Sequence, residues 1–218
     1  MLDSHEHLHV PVFPLPRVVF FPGTTLPLHF FEPRYRAMMD HVAEAGVTHM
    51  AVVLLAPGWE AEYEGRPAIH RVAGLGRIVE HERLPNGTHN AILRGVARVA
   101  LEEHPSVEMP FRMATARPVE GHGVPSAEAL AGLVSASQAV AVEVRKQHPA
   151  FELDVAWTGD PGELTDQLAD QLVADIPTRQ RLLETLDVRE RVECATAAIS
   201  ELLAIFRGSR PPPFTAGN

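Results

Sequence analysis

The chain has 218 residues, 45% hydrophobic and 22% charged, the composition of an ordinary globular protein long enough for one domain or a domain with a smaller second lobe. Its 28 Asp and Glu against 19 Lys and Arg give a formal charge of −9, which argues against a general binder of nucleic-acid backbone, a task that needs a basic face. No uninterrupted apolar run nears the roughly 20 residues of a membrane helix, the N-terminus lacks the basic and apolar regions of a signal peptide, and the single cysteine, Cys194, leaves no internal disulfide, so a cytoplasmic protein without membrane contact is expected.

Residues 1–9 read as a disordered terminus. Within them His5, His7 and His9 alternate, a spacing that places three imidazoles on one side of an extended strand. No fourth ligand accompanies them, so solvated histidines are the simpler account, and no metal or cofactor is expected. Residues 11–36, PVFPLPRVVFFPGTTLPLHFFEPRYR, hold five prolines that exclude helix interior and push their neighbours extended. Two short strands follow, at about 10–13 and 26–30, around a tight corner at Phe21-Pro22-Gly23, where Gly23 takes a positive φ.

A helix is predicted to begin directly afterwards. Glu32 is its N-cap, with the carboxylate near the orphan N–H groups, and Pro33 takes the first helical position. Tyr35, Met38, Met39 and Val42 form its apolar stripe, and Gly46 is its stop. HMAVVLLA (49–56) is a continuous apolar run suited to a strand buried on both faces. Residues 57–67 read as a loop in which Trp59 and Tyr63 are packing anchors or contact residues.

Two β-rich runs, 69–84 and 88–101, flank Pro85-Asn86-Gly87, and Asn-Gly between such runs predicts a hairpin whose two turn residues both take φ > 0. Gly74 and Gly76 suggest a bulge or bend. Gly95 and Ala97 suggest close approach by another element. A strand near 111–119 completes about six, and short strands with internal glycines and a single helix indicate a partly closed β-barrel.

From 121 onward the sequence turns helical. An alanine-rich helix at about 127–147 stops at His148-Pro149. Asp160-Pro161-Gly162-Glu163 caps a second, and Pro177 separates a third. Asp187-Val188-Arg189-Glu190 caps the last, whose stripe is Val192, Ala195, Ile199, Leu202, Leu203 and Phe206. Residues 121–207 are therefore expected to be a helical bundle, 10–120 the β-rich lobe, and 208–218 a disordered tail. The expected fold class is α+β.

FPLPRVVFFPG with LPLHFFEPRYR, then VAGLGRIVEHERLPNGTHNAILRGVARVAL, DPGELTDQLADQL and LLETLDVRERVE, together resemble the N-terminal, substrate-recognition domain of Lon-type ATP-dependent proteases over about residues 10–206. The resemblance implies a PUA-like β lobe followed by a helical part, and a module that binds hydrophobic or unfolded polypeptide segments, in the service of a separate protease or chaperone. The ATPase and Ser-Lys protease domains of such enzymes find no counterpart. No G-x-x-x-x-G-K-[ST] occurs, and the one lysine, Lys146 in VRKQHP, lies outside any catalytic context. A stand-alone, non-catalytic form is expected.

Other constellations are weaker. Asp40-His41 lacks a nucleophile elbow. His70, His81 and His89 are positioned to meet across the hairpin, with solvated surface histidines the simpler account. Cys194 reads as a small core residue. At the corner after the second strand, Phe30 and Tyr35 are core and Glu32 and Arg34 a cap and ion pair on the simplest account. On the functional account it is a polypeptide-recognition surface of Phe30, Phe31, Glu32, Arg34, Tyr35 and Arg36, joined by Trp59 and Tyr63, in which aromatics supply burial and arginines pair with carboxylates. The alternative is a structural or assembly protein acting through self-association or docking on one dedicated partner.

Overall fold

The computed structural model describes residues 7–63, 65–104, 109–157 and 159–208. His5 and the tail 209–218 lie outside them, as does most of the N-terminal segment. The chain divides into two compact units, one up to Glu120 and one from Gly121.

The first unit is a six-stranded sheet with one helix. Its elements are β1 (Leu8–Leu15), β2 (Thr25–Phe30), α1 (Pro33–Ala45), β3 (His49–Leu54), β4 (Val72–Arg83), β5 (His89–His104) and β6 (Arg112–Pro118), with a 3-10 turn at Trp59–Glu62. The strand order is β2-β5-β4-β3-β1-β6, and β6 pairs again with β5. The pairings therefore run in a circuit, β1-β3-β4-β5-β6-β1, with β2 outside it. β5 makes this possible by its length: its first part pairs with β2 (Leu93 opposite Leu26) and its last part with β6 (Leu101 opposite Ala116).

β1 and β3 are parallel, Val12 opposite Ala51, joined by a crossover that contains β2 and α1. Their near-continuous apolar sequence follows from two cores. Val10, Val12, Ala51 and Val53 enter one with Leu75, Val99 and Ala116. Phe13, Met50 and Val52 enter the other with Phe30, Tyr35, Met38, Met39 and Leu93. Alternate side chains go to opposite faces, and both faces are buried.

Gly95 meets the close approach expected of it: a Cβ there would collide with the Phe21 carbonyl. Gly23 has φ 76° and donates its N–H to the Gly95 carbonyl at 3.0 Å. The hairpin turn differs from expectation. Gly87 has φ 78°, but Asn86 does not enter the positive-φ region. Pro85 presets an ordinary turn, closed by Gly87 N–H to Leu84 C=O at 2.9 Å, and Asn86 Oδ1 accepts from Thr88 N and Oγ1. This is a three-residue loop ending in one left-handed glycine.

The second unit holds α2 (Ala127–Arg145), α3 (Pro161–Leu172), α4 (Ile176–Glu184) and α5 (Val188–Gly208). Side chains cap their starts. Ser126 accepts from Ala129 N, Asp160 from Gly162 N and Glu163 N, Asp175 from Thr178 N, and Asp187 from Arg189 N. α2 packs on α5, and Leu133, Val140, Leu168, Leu182, Val192 and Ile199 are fully buried. α2 is long and apolar enough to cross a membrane by length and composition alone, although Ser, Gln and Glu interrupt its apolar run; its stripe Leu133, Ser137, Val140, Ala141 and Val144 is buried inside this unit. Cys194 is partly buried rather than fully core, being offset along α5 from the buried Val192 and Ala195.

Candidate recognition surface

β2 delivers the chain to the corner at Phe30, and the residues there divide between core and surface. Phe30 is 1% exposed and packs on Phe13, ring centroids 4.8 Å apart; Tyr35 is 6% exposed and meets Phe13 edge-on at 4.6 Å. Neither ring offers a contact face, because both complete the core beneath α1. Phe31 is the opposite: the residue is 63% exposed, its ring lying along His29 at 6.1 Å.

Glu32 is the N-cap residue of α1, extended at φ −65° and ψ 139°, but its carboxylate makes no capping bond. It is drawn instead to two side chains. Oε2 accepts from Arg34 Nε at 3.0 Å, and Oε1 accepts from the Tyr63 hydroxyl at 2.9 Å. Arg34 also donates Nη1–H to the Tyr63 carbonyl at 3.2 Å. Its guanidinium sits 4.7 Å from the Tyr35 ring centroid and 5.2 Å from that of Tyr63, a cation–π arrangement. Trp59 meets Tyr63 edge-on at 5.6 Å. Loop 57–67 is thereby fastened to the start of α1. Burial pushes the Tyr35 hydroxyl up to about 12, against the field of Arg34, and the Tyr63 hydroxyl is also raised, by burial and by its bond to Glu32.

The structure thus gathers Glu32, Arg34, Tyr35, Trp59 and Tyr63, and leaves Phe31 on the adjoining surface. Arg36 turns elsewhere, donating Nε–H to the Gly87 carbonyl at 2.6 Å and holding the hairpin tip against α1.

A cleft adjoins the cluster, lined by Arg34, Tyr35, Tyr63, Arg66, Phe111 and Arg112 with Pro14, Leu55 and Pro67 among the remainder. It has room for about 30 Å³, more than the roughly 10–15 Å³ needed to admit one water. Arg112 is buried, donating Nη1–H to Glu103 at 3.1 Å and Nη2–H to the Pro67 carbonyl at 2.5 Å. Sequence reasoning did not find Arg66 and Arg112. They stand 30 and more residues from the corner, and no spacing pattern joins them to it.

β2 contributes an edge as well. Among the described residues it pairs with β5 alone. Gly95 N–H bonds Thr24 C=O at 2.9 Å, which sets the ladder's alternation and directs the backbone groups of Thr25, Pro27 and His29 away from β5. All three residues are exposed.

Of the histidines, His81 and His89 meet across the hairpin, Nε2 to Nδ1 at 2.9 Å, and His89 Nε2 lies 3.3 Å from Asp40 Oδ1. His70 is not part of this group. Asp40 faces His89 and Arg83 rather than His41, whose ring lies against Phe111 at 5.5 Å. Among the described residues no group of three or more His, Cys, Asp or Glu is arranged to hold a metal.

Comparison with known families identifies the architecture. The model of the ATP-dependent protease La (LON) substrate-binding domain matches residues 9–201. The chain belongs to that family. Lon protease of Heliobacterium modesticaldum is 27% identical over 205 residues, covering 92% of this chain and 25% of the relative. Lon protease of Roseiflexus castenholzii is 31% identical over 207 residues, covering 91% and 25%. The chain therefore spans about a quarter of the length of the curated relatives it matches. The solved N-terminal domain of Mycobacterium avium complex Lon protease superposes with a TM-score of 0.64 at 19% identity, covering 89% of this chain and 99% of that one. The Lon N-terminal domain protein from Xanthomonas campestris gives 0.58 at 21%, covering 87% and 98%. The two solved domains share the fold of this chain.

Proposed function

We propose that the chain is a non-catalytic, cytoplasmic polypeptide-binding module of the Lon substrate-binding family. Its partners are hydrophobic or unfolded protein segments, presented in concert with a separate protease or chaperone, without nucleic acid or membrane. In this reading residues 10–120 are a PUA-like, partly closed barrel that carries the recognition surface, and 121–207 are a helical bundle forming a second domain. The observation that carries the proposal is the exposed Phe31 at the end of an edge strand whose outer backbone groups face away from the sheet. An extended segment can add to such an edge through main-chain bonds and place an apolar side chain on the Phe31 ring. Phe30 and Tyr35 support this surface from the core, while Glu32, Arg34, Trp59 and Tyr63 form its polar and aromatic flank. Arg36 acts only by fixing the hairpin.

The test is fluorescence anisotropy with a labelled, unstructured decapeptide of Leu, Ala and Ser. Phe31→Ala removes an aromatic contact worth tenfold or more in affinity, at about 1.5–3 kcal/mol for a buried Phe. Thr25→Pro removes one outward N–H at the first residue of the edge strand, a position that tolerates proline, and weakens strand addition specifically. Folded variants that both bind like the parent would overturn the assignment. A chain that binds no peptide but sediments as a stable oligomer would favour the assembly role instead.

A further inference from the structure

The cleft beside Arg34 has walls of one sign. Arg34, Arg66 and Arg112 line it with the phenols of Tyr35 and Tyr63, and no Asp or Glu among the described residues does. This occurs in a chain with 28 acidic against 19 basic residues. Glu32 and Glu103 hold Arg34 and Arg112 from outside the lining, and so position the guanidinium groups. Arginine-rich walls favour an anion even with Glu32 and Glu103 offsetting part of their charge, since a carboxylate gains more from arginines in a partly desolvated recess than in open water.

Tyr35 supplies the second observation. It is 6% exposed, lines the cleft, and its hydroxyl makes no hydrogen bond to a described residue. The hydroxyl is not among the atoms sealed from solvent, so it is open to donate within the cleft, and it remains a donor at neutral pH. The room of about 30 Å³, more than the roughly 10–15 Å³ that admits one water, suits a carboxylate head. The apolar part of the lining, which includes Pro14, Leu55 and Phe111, suits the aliphatic carbon that bears such a head.

We propose that this cleft is a carboxylate subsite. It takes one carboxylate of a bound polypeptide, at the C-terminus or on an Asp or Glu side chain, with the Tyr35 hydroxyl donating to one oxygen and the three arginines supplying the positive field. The inference rests on the polypeptide-binding reading and specifies what that surface selects.

The experiment uses the full chain and three forms of the labelled Leu, Ala and Ser decapeptide: one amidated without acidic residues, one with a free C-terminus, and one amidated with a single internal Glu. One carboxylate form binds about tenfold more tightly than the uncharged form, consistent with a charge-assisted hydrogen bond, and which form gains identifies the source. Tyr35→Phe keeps the ring and its packing, and narrows that ratio to less than about threefold. If the three forms bind the parent alike, or Tyr35→Phe leaves their ratio unchanged, the subsite is overturned while the polypeptide reading stands. If no form binds, an acetate titration followed on the Tyr35 ring signals separates the two. A saturating shift keeps an anion site without the polypeptide reading, and no shift removes both.

Discussion

A Cβ placed on Gly95 would run into the carbonyl of Phe21, in the segment that bonds Gly95 through both its C=O and its N–H. The obstacle is backbone, fixed by two hydrogen bonds, and cannot rotate away as a side chain would. Gly132, midway along α2, has nothing within 4 Å of the corresponding position. Gly95→Ala is expected to destabilise the fold by about 2–3 kcal/mol through overpacking, and Gly132→Ala to stabilise it by about 0.5–1 kcal/mol through helix propensity. Urea denaturation of both variants checks the contrast, and equal effects would contradict it. At this scale the sequence told which residues must be small but not what lies against them. Gly95 in a β-rich run signals a close neighbour; that the neighbour is the Phe21-Pro22 backbone depends on a pairing about 70 positions away in the chain. Glu32 shows the same limit. Its position marks a helix start, but its carboxylate goes to Arg34 and Tyr63 because loop 57–67 folds back over it, and no local pattern encodes that return.

The hairpin of β4 and β5 is fastened to α1 by charge and by one buried imidazole. His89 is fully buried, with His81 and Arg83 facing it from β4, and Asp40 and Arg36 from α1. Burial lowers its proton affinity below the ordinary value near 6.5, and His81, Arg83 and Arg36 push the same way against Asp40. A depressed histidine is neutral in the folded chain, so the unfolded chain takes up the proton first on acidification. Its contribution is complete above about pH 6.5 and is lost as pH falls through the lower, folded value. Thermal unfolding should therefore show a decline in Tm between pH 7.5 and 5.5, and His89→Gln should flatten it. An unchanged slope in the variant would assign the decline to other groups. The hairpin itself was legible from Pro-Asn-Gly between β-rich runs, as were α1 with its proline and glycine boundaries and the four helices after residue 121, two of them with their caps. The parallel pairing of β1 with β3 was not, because β2 and α1 intervene and a buried apolar run fits either strand direction. The open edge of β2 was hidden for a related reason: which strand ends a sheet is set by the whole circuit of pairings, and Pro27 alone only hints at it.

Each unit of the molecule carries its own buried set, and each carries one of the two tryptophans. Up to Glu120 the chain holds all six strands, α1, and the cores around Phe30 and Val12. From Gly121 it holds α2 to α5 with Leu133, Leu168, Leu182 and Ile199 fully buried. Roughly 100 residues is enough for an independent core, and units stabilised by separate cores unfold as separate cooperative transitions unless the coupling between them exceeds their difference in stability. Trp59 lies on the 3-10 turn of the first unit and Trp157 in the segment before α3 of the second, so Trp157→Phe and Trp59→Phe each leave one reporter. Both positions are at least partly exposed, which keeps the substitutions mild. Urea unfolding followed by tryptophan fluorescence should give different midpoints in the two variants, with each slope below that of a single transition exposing the area of the whole chain. Far-UV circular dichroism on the parent should then show both steps. Superimposable curves with one steep slope would mean a single cooperative unit, and the boundary near residue 120 would be a feature of the architecture rather than of the folding energetics.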